Sequence, residues 1–164
     1  QMFFHAASPQ IFNVRRSAAK VGLIPRNQPR QMRWVDGTLD ELLELRSPVS
    51  QILRAASRAF DLSAMSGIEQ WAHDGTKPDW HVDKDEVRYR RSGDTTCPIC
   101  SIVFYANVDS LTDGKFMTED MTVTPKTNRL VVFGPGVKHG VEDFTGVRVA
   151  VAINPWATKP EGYA

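Results

Sequence analysis

Trp80-His81-Val82-Asp83 places an imidazole and a carboxylate two residues apart. In an extended chain alternate side chains leave on one face, so His81 and Asp83 project together and Val82 points away. Two such groups are two corners of a metal site, and His139, which opens an extended run after Gly134-Pro135-Gly136, is the best third. Two imidazoles and one carboxylate on a triangular face leave the opposite coordination positions open, the donor set of a non-haem iron(II) centre. Nine residues after His139, Arg148 interrupts the apolar run Val147–Ile153. A guanidinium among core residues is costly unless it meets an anion, and its planar fork suits a carboxylate. That carboxylate is either a bound molecule's or an internal Asp or Glu. Tyr105, in Ile102-Val103-Phe104-Tyr105, either shares the anion or is a core aromatic with a bonded hydroxyl.

These residues must be carried by recognisable elements. Thr38 with Glu41 has capping-box spacing, and Leu39, Leu42, Leu43 and Leu45 follow as an apolar face. Ser47-Pro48 restarts the pattern, with Ile52, Leu53, Ala56, Ala59 and Phe60 at helical spacing. After Asp61, runs rich in β-branched and aromatic residues alternate with turn formers. Strands are expected near Met65–His73, Trp80–Asp83, Ile99–Asn107, Lys115–Thr118, Met121–Thr124, Arg129–Phe133, His139–Glu142 and Val147–Ile153. In residues 1–37 the reading is a short strand near Met2–His5, loops, and a helical turn around Val14–Lys20. The fold class is α+β, mainly β, with helices buttressing a sandwich or barrel. The expected organisation is one domain over residues 1–164: an N-terminal segment, 1–60, and a β core, 61–157.

From about Trp71 to Trp156 the chain resembles the 2-oxoglutarate- and Fe(II)-dependent oxygenases, in their prolyl-4-hydroxylase-like branch. The resemblance rests on an ordered set: His81-Val82-Asp83; Ile102 to Asn107; Asp113-Gly114-Lys115-Phe116; Val123 to Phe133; His139-Gly140-Val141; and Gly146-Val147-Arg148. It implies a double-stranded β-helix (jelly-roll) core, iron on His81, Asp83 and His139, and 2-oxoglutarate on Arg148 and Tyr105. It also implies O2 as co-substrate, ascorbate as reductant, and succinate and CO2 as co-products of hydroxylation, most plausibly of a prolyl residue. Two departures stand out. Asp113 occupies the first position of a common Gly-Gly step, and Asn154 stands where many relatives carry Trp, with Trp156 two residues on. Asp83 itself argues for hydroxylation, because related halogenases replace that carboxylate with a small residue.

Other signals carry less. Cys97-Pro98-Ile99-Cys100 has redox spacing without a βαβ context, so structural thiols are the better reading. His73-Asp74 face opposite ways in a strand and read as solvated. Lys84–Thr96, holding Arg88, Arg90 and Arg91, is expected to be a loop after the metal ligands, either closing over a peptide or simply solvated. Trp80 and Trp156 are candidate pocket walls, as is Trp71. With 20 basic against 19 acidic residues, the net charge of +1 removes the electrostatic case for nucleic acid binding. No apolar run reaches the roughly 18 residues that span a bilayer. No secretory leader is evident, and two cysteines make no disulfide scaffold, so the expectation is a cytoplasmic, monomeric protein taking a peptide, protein or small-molecule substrate. The readings to be separated are a peptidyl hydroxylase, a hydroxylase of a free amino acid or metabolite, and a non-catalytic cupin-type binding module.

Overall fold

The computed structural model describes residues 9–13 and 32–163. The expected strand at Met2–His5 and turn at Val14–Lys20 lie outside them. Helix α1 (Leu39–Glu44) starts at Thr38, whose hydroxyl accepts from the Glu41 amide while the Glu41 carboxylate takes the Thr38 amide at 2.8 Å. Helix α2 (Pro48–Ala56) repeats the device with Ser47 and Ser50, and Ser50 Oγ also donates to the Leu42 carbonyl at 2.6 Å, tying the helices together. Ile52, Leu53 and Ala56 of α2 are fully buried. The helix ends at Ala56, short of Phe60, where Ser57 caps it.

Nine strands follow the Val-, Ile- and Phe-rich runs: β1 (Gln10–Asn13), β2 (Arg33–Asp36), β3 (Gly67–Asp74), β4 (Ser101–Asp113), β5 (Phe116–Thr118), β6 (Thr122–Val123), β7 (Arg129–Phe133), β8 (His139–Val141) and β9 (Phe144–Trp156). Among the described residues they form an antiparallel six-stranded sheet, order β1-β7-β4-β9-β3-β2, and a three-stranded sheet, order β6-β5-β8. The arrangement is mainly β and consistent with a jelly roll. Strands β1 and β2 were not expected; four residues each, they pair at the two edges of the large sheet and carry too short a pattern to read.

Alternation along β9 separates two cores. Val151 and Ile153 join Ile68, Ile102, Phe104, Leu130 and Val132 against α1 and α2. Ala150 faces the other way, with Tyr105, Phe116, Val123, Val131 and Phe133 between the two sheets. Arg148, Ala152 and Asn154 share the parity of Ala150 and so belong to this inner face.

Two expectations for the region between β3 and β4 are corrected. Trp80–Asp83 is not a strand: only His81 pairs, in one antiparallel bridge with His139 whose two hydrogen bonds are each 2.9 Å. Lys84–Thr96 is not all loop either, because α3 (Glu86–Ser92) occupies its centre. Asp85 caps this helix by accepting from the Arg88 amide at 3.0 Å, and Gly93, at φ 77°, ends it in the left-handed conformation. Asp before a charged run and Gly after it were the signals for that helix.

Candidate metal centre

His81 and His139 are brought together by their shared bridge, which sets their rings 4.3 Å apart. Asp83, two residues on, closes the triangle. Asp83 Oδ1 lies 3.4 Å from His81 Nε2 and Oδ2 lies 3.9 Å from His139 Nε2; the three ligand atoms all fall within 4.8 Å of one another. His81 Nδ1 is 2.6 Å from the Asp79 carbonyl and His139 Nδ1 is 3.0 Å from that of Val137. A carbonyl only accepts, so each ring carries its proton on Nδ1 and presents the Nε2 lone pair to the centre, the outer-shell arrangement of metal-binding histidines. Ser101 Oγ of β4 donates to Asp83 Oδ2 at 2.6 Å and fixes the carboxylate.

The surroundings tune these groups. His139 is packed between Phe116, at 5.5 Å between ring centres, and Phe133, at 4.6 Å. Burial holds its pKa below the usual histidine value, which keeps the imidazole neutral. His81 is shifted upward by its contact with the Asp83 carboxylate. Burial pushes Asp83 up, but His81, His139 and Ser101 outweigh it and the carboxyl sits below its ordinary value. The donor set is a neutral imidazole, a second imidazole and an ionised carboxylate, which fits a divalent first-row metal.

Arg148 and Tyr105 lie on the same inner face, 2% and 0% exposed. Arg148 Nε donates to the Gly114 carbonyl at 3.3 Å, Nη2 reaches the Tyr105 hydroxyl at 3.5 Å, and the guanidinium lies over the Tyr105 ring at 5.2 Å. Nη1 makes no hydrogen bond, and among the described residues no carboxylate pairs with Arg148. An internal salt bridge is therefore not what this arginine is for. An orphaned donor on a buried cation is the complement of a carboxylate that none of the described residues supplies. Gly114 makes room: at φ 70°, a Cβ there would stand 2.9 Å from Phe144 Cβ and 3.4 Å from Arg148 Cδ. Asp113, at φ 63°, is also left-handed, so both positions of this step have the backbone that glycine favours.

The remaining candidates are spread out. Trp80 is 46% exposed beside Gly140, whereas Trp156 is 2% exposed at the end of β9. On α3, Arg88 pairs with Asp94 at 3.5 Å and Arg91 with Glu161 at 2.5 Å, while Arg90 lines a cavity with Glu69 and Tyr163. His73 accepts from the Trp71 indole at 2.9 Å and stays apart from the triad. Cys97 and Cys100 are free thiols. Sequence reasoning missed Ser101, on the inner face; a serine in a β run carries no mark until the strand pairing is known.

No protein-family model and no curated protein matches the chain. Among solved structures it is similar to a prolyl-4-hydroxylase from Pseudomonas putida, with TM-score 0.50 and 20% identity over 77% of this chain and 68% of that one. It is also similar to an oxidoreductase of the 2OG-Fe(II) oxygenase family from Burkholderia pseudomallei (TM-score 0.49, 14% identity, 79% and 68% covered). A third is a Trichoplax adhaerens prolyl hydroxylase in complex with a hypoxia inducible factor peptide fragment (TM-score 0.44, 14% identity, 82% and 66% covered). With its His-Asp-His cluster set between antiparallel sheets, the chain has the fold of the Pseudomonas putida prolyl-4-hydroxylase.

Proposed function

We propose that this protein is a 2-oxoglutarate- and Fe(II)-dependent dioxygenase that hydroxylates an unactivated carbon, a prolyl residue of a peptide or protein, with succinate and CO2 as co-products. The observation that carries the reading is a His-Asp-His donor set sharing one sheet interior with a buried arginine that has a free Nη1 and, among the described residues, no carboxylate partner. His81, Asp83 and His139 would hold iron, and Arg148 with Tyr105 would take the distal carboxylate of 2-oxoglutarate. Iron and 2-oxoglutarate supply, when bound, the O2-dependent oxidation coupled to loss of CO2.

The chain's own contribution is positional. The Asp79 and Val137 carbonyls hold the imidazoles in the ligating tautomer, and Ser101 holds the carboxylate. Phe116 and Phe133 exclude water from one side of His139. A cupin-type module that only retains a metal has no use for Arg148, and the fold shared with a prolyl-4-hydroxylase supports the prolyl target. One domain over residues 1–164 and a monomeric, cytoplasmic protein belong to the same proposal; among the described residues no helix is long and apolar enough to cross a membrane. The test is anaerobic addition of Fe(II) and 2-oxoglutarate, expected to give the weak visible charge-transfer band of the chelate, followed by a peptide-array screen for a 16 Da gain, the mass of one oxygen atom. Absence of both the band and succinate, with every peptide tried, would overturn the reading.

A further inference from the structure

Asp83 is the member of the triad that no strand carries. The chain runs outside any strand from Val82 to Asp85, and the bridge between His81 and His139 pins it only on the near side. Ser101 holds the Asp83 carboxylate rather than the backbone beneath it. On the far side, Asp85 is 5% exposed and uses all four of its polar groups. Its amide donates to the Thr96 carbonyl at 2.8 Å, and its carbonyl accepts from the Tyr89 amide at 2.9 Å. Oδ1 accepts from the Arg88 amide at 3.0 Å and Oδ2 from the Glu161 amide at 2.8 Å. The first turn of α3, the approach to β4 and the 3-10 turn Glu161–Tyr163 thus meet on one buried residue.

The 3-10 turn is itself anchored. Arg91 of α3 pairs with Glu161 at 2.5 Å, and a Cβ on Gly162 would stand 3.4 Å from Val87, so the turn lies against the helix. Tyr163 donates to Glu69 Oε1 of β3 at 2.8 Å, its ring is 6.1 Å from that of Trp34 on β2, and Lys159 reaches Asp36 at 4.0 Å. The large sheet holds the turn, the turn holds Asp85, and Asp85 holds the backbone two residues from a candidate ligand. Capping α3 needs only one carboxylate oxygen. The second is engaged by an amide 76 residues away, which capping does not explain. Metal ligands bind well only when the groups behind them fix their geometry.

We infer that Asp85 is a positioning residue of the metal centre, holding the backbone that carries Asp83, and that the Glu161 amide of the 3-10 turn completes this hold. The role rests on the metal centre of the proposed reading, not on the oxidation performed there. It makes a turn remote in the chain part of the frame of the site.

The test is titration of the full chain with cobalt(II), read by its visible absorption, in variants whose circular dichroism matches the unaltered protein. Asp85→Ala should weaken cobalt binding about 10–100-fold, the range for loss of an outer-shell partner, and alter the visible bands. Because that change also uncaps α3, Glu161→Pro is the cleaner variant: proline lacks the amide that Oδ2 accepts and is tolerated at the start of a helical turn. It should weaken cobalt binding about tenfold, the low end of the same range. Glu161→Ala keeps the amide and loses only the pair with Arg91, so it should bind cobalt as the unaltered protein does. Thr38→Ala, destabilising but remote on α1, should likewise leave affinity and bands unmoved, which separates positioning from general stability. Unchanged binding in Asp85→Ala and Glu161→Pro, or equal losses in Glu161→Pro and Thr38→Ala, would overturn the inference. A chain that binds no cobalt removes the metal centre and this role with it. Cobalt binding that follows the expected pattern, with no succinate once iron and 2-oxoglutarate are supplied, keeps the role and removes the oxygenase reading.

Discussion

Arg148 is the residue on which the proposed chemistry turns, because the fold buries a full charge and leaves one of its nitrogens without a partner. Such a group is tolerated when an external anion completes it. Arg148→Ala is therefore expected to raise the KM for 2-oxoglutarate steeply, by the roughly 2–5 kcal/mol that truncating one partner of a buried charge pair costs. An unchanged KM, measured by succinate release, would place the cosubstrate elsewhere. At the same scale, the two cysteines are separated by environment rather than spacing. Burial pushes the Cys100 thiol up to about 12, and raises the half-buried Cys97 thiol too. Alkylation of native protein at mildly alkaline pH should label Cys97 slowly and leave Cys100 unmodified until the chain unfolds, as read by peptide mass spectrometry. Equal labelling of both would contradict the described burial.

Among the elements, the turn between β4 and β5 and the start of α1 make separate predictions. Gly114→Ala puts a Cβ at φ 70° and against Phe144, so a loss of about 1–2 kcal/mol from backbone strain is expected, with weaker 2-oxoglutarate binding because Arg148 Cδ is next in line. Denaturant unfolding measures the first and titration the second. Thr38→Ala removes the hydroxyl that caps α1 and should cost about 1 kcal/mol. The Glu41 side of this box is pH-dependent: the Thr38 amide and hydroxyl hold the Glu41 carboxyl below its ordinary 4.5. A lowered folded-state value means its contribution is complete above the unfolded value and is lost as pH falls through the folded one. Glu41→Gln should flatten that acid-side decline; an identical decline in the variant would show that Thr38 does not hold the carboxylate. The helix α3 shows how an element escapes pattern reading. Its buried side chains are absent, so apolar periodicity is missing and only the flanking Asp85 and Gly93 mark it.

On the scale of the whole molecule, the candidate ligand groups come from β4, β8, β9 and the segment His81–Asp83, so in the proposed reading binding there couples to folding. Cobalt(II) as a redox-stable stand-in, together with 2-oxoglutarate at about a hundred times its dissociation constant, should add about 2.7 kcal/mol. That is a rise in Tm of roughly 5–11 °C for a chain of this length; Asp83→Ala should abolish the metal's share, and an unmoved Tm would argue that the triad binds nothing. Much of this assembly was legible in the chain itself. The capping pair Thr38–Glu41 and the start signal Ser47-Pro48 are local, the runs that became β4, β7 and β9 are long, and His81, Asp83, His139 and Arg148 are chemically conspicuous against their neighbours. These features depend on residue type and short spacing, which a linear sequence carries in full. What only the tertiary structure decided was proximity: that Arg148 meets no carboxylate among the described residues, that Ser101 reaches Asp83, that Glu69 and Asn154 stand side by side, and that His81 pairs through a single bridge rather than a strand. Each of these is set by strand register between segments far apart in the chain, where a one-residue slip turns every side chain to the opposite face.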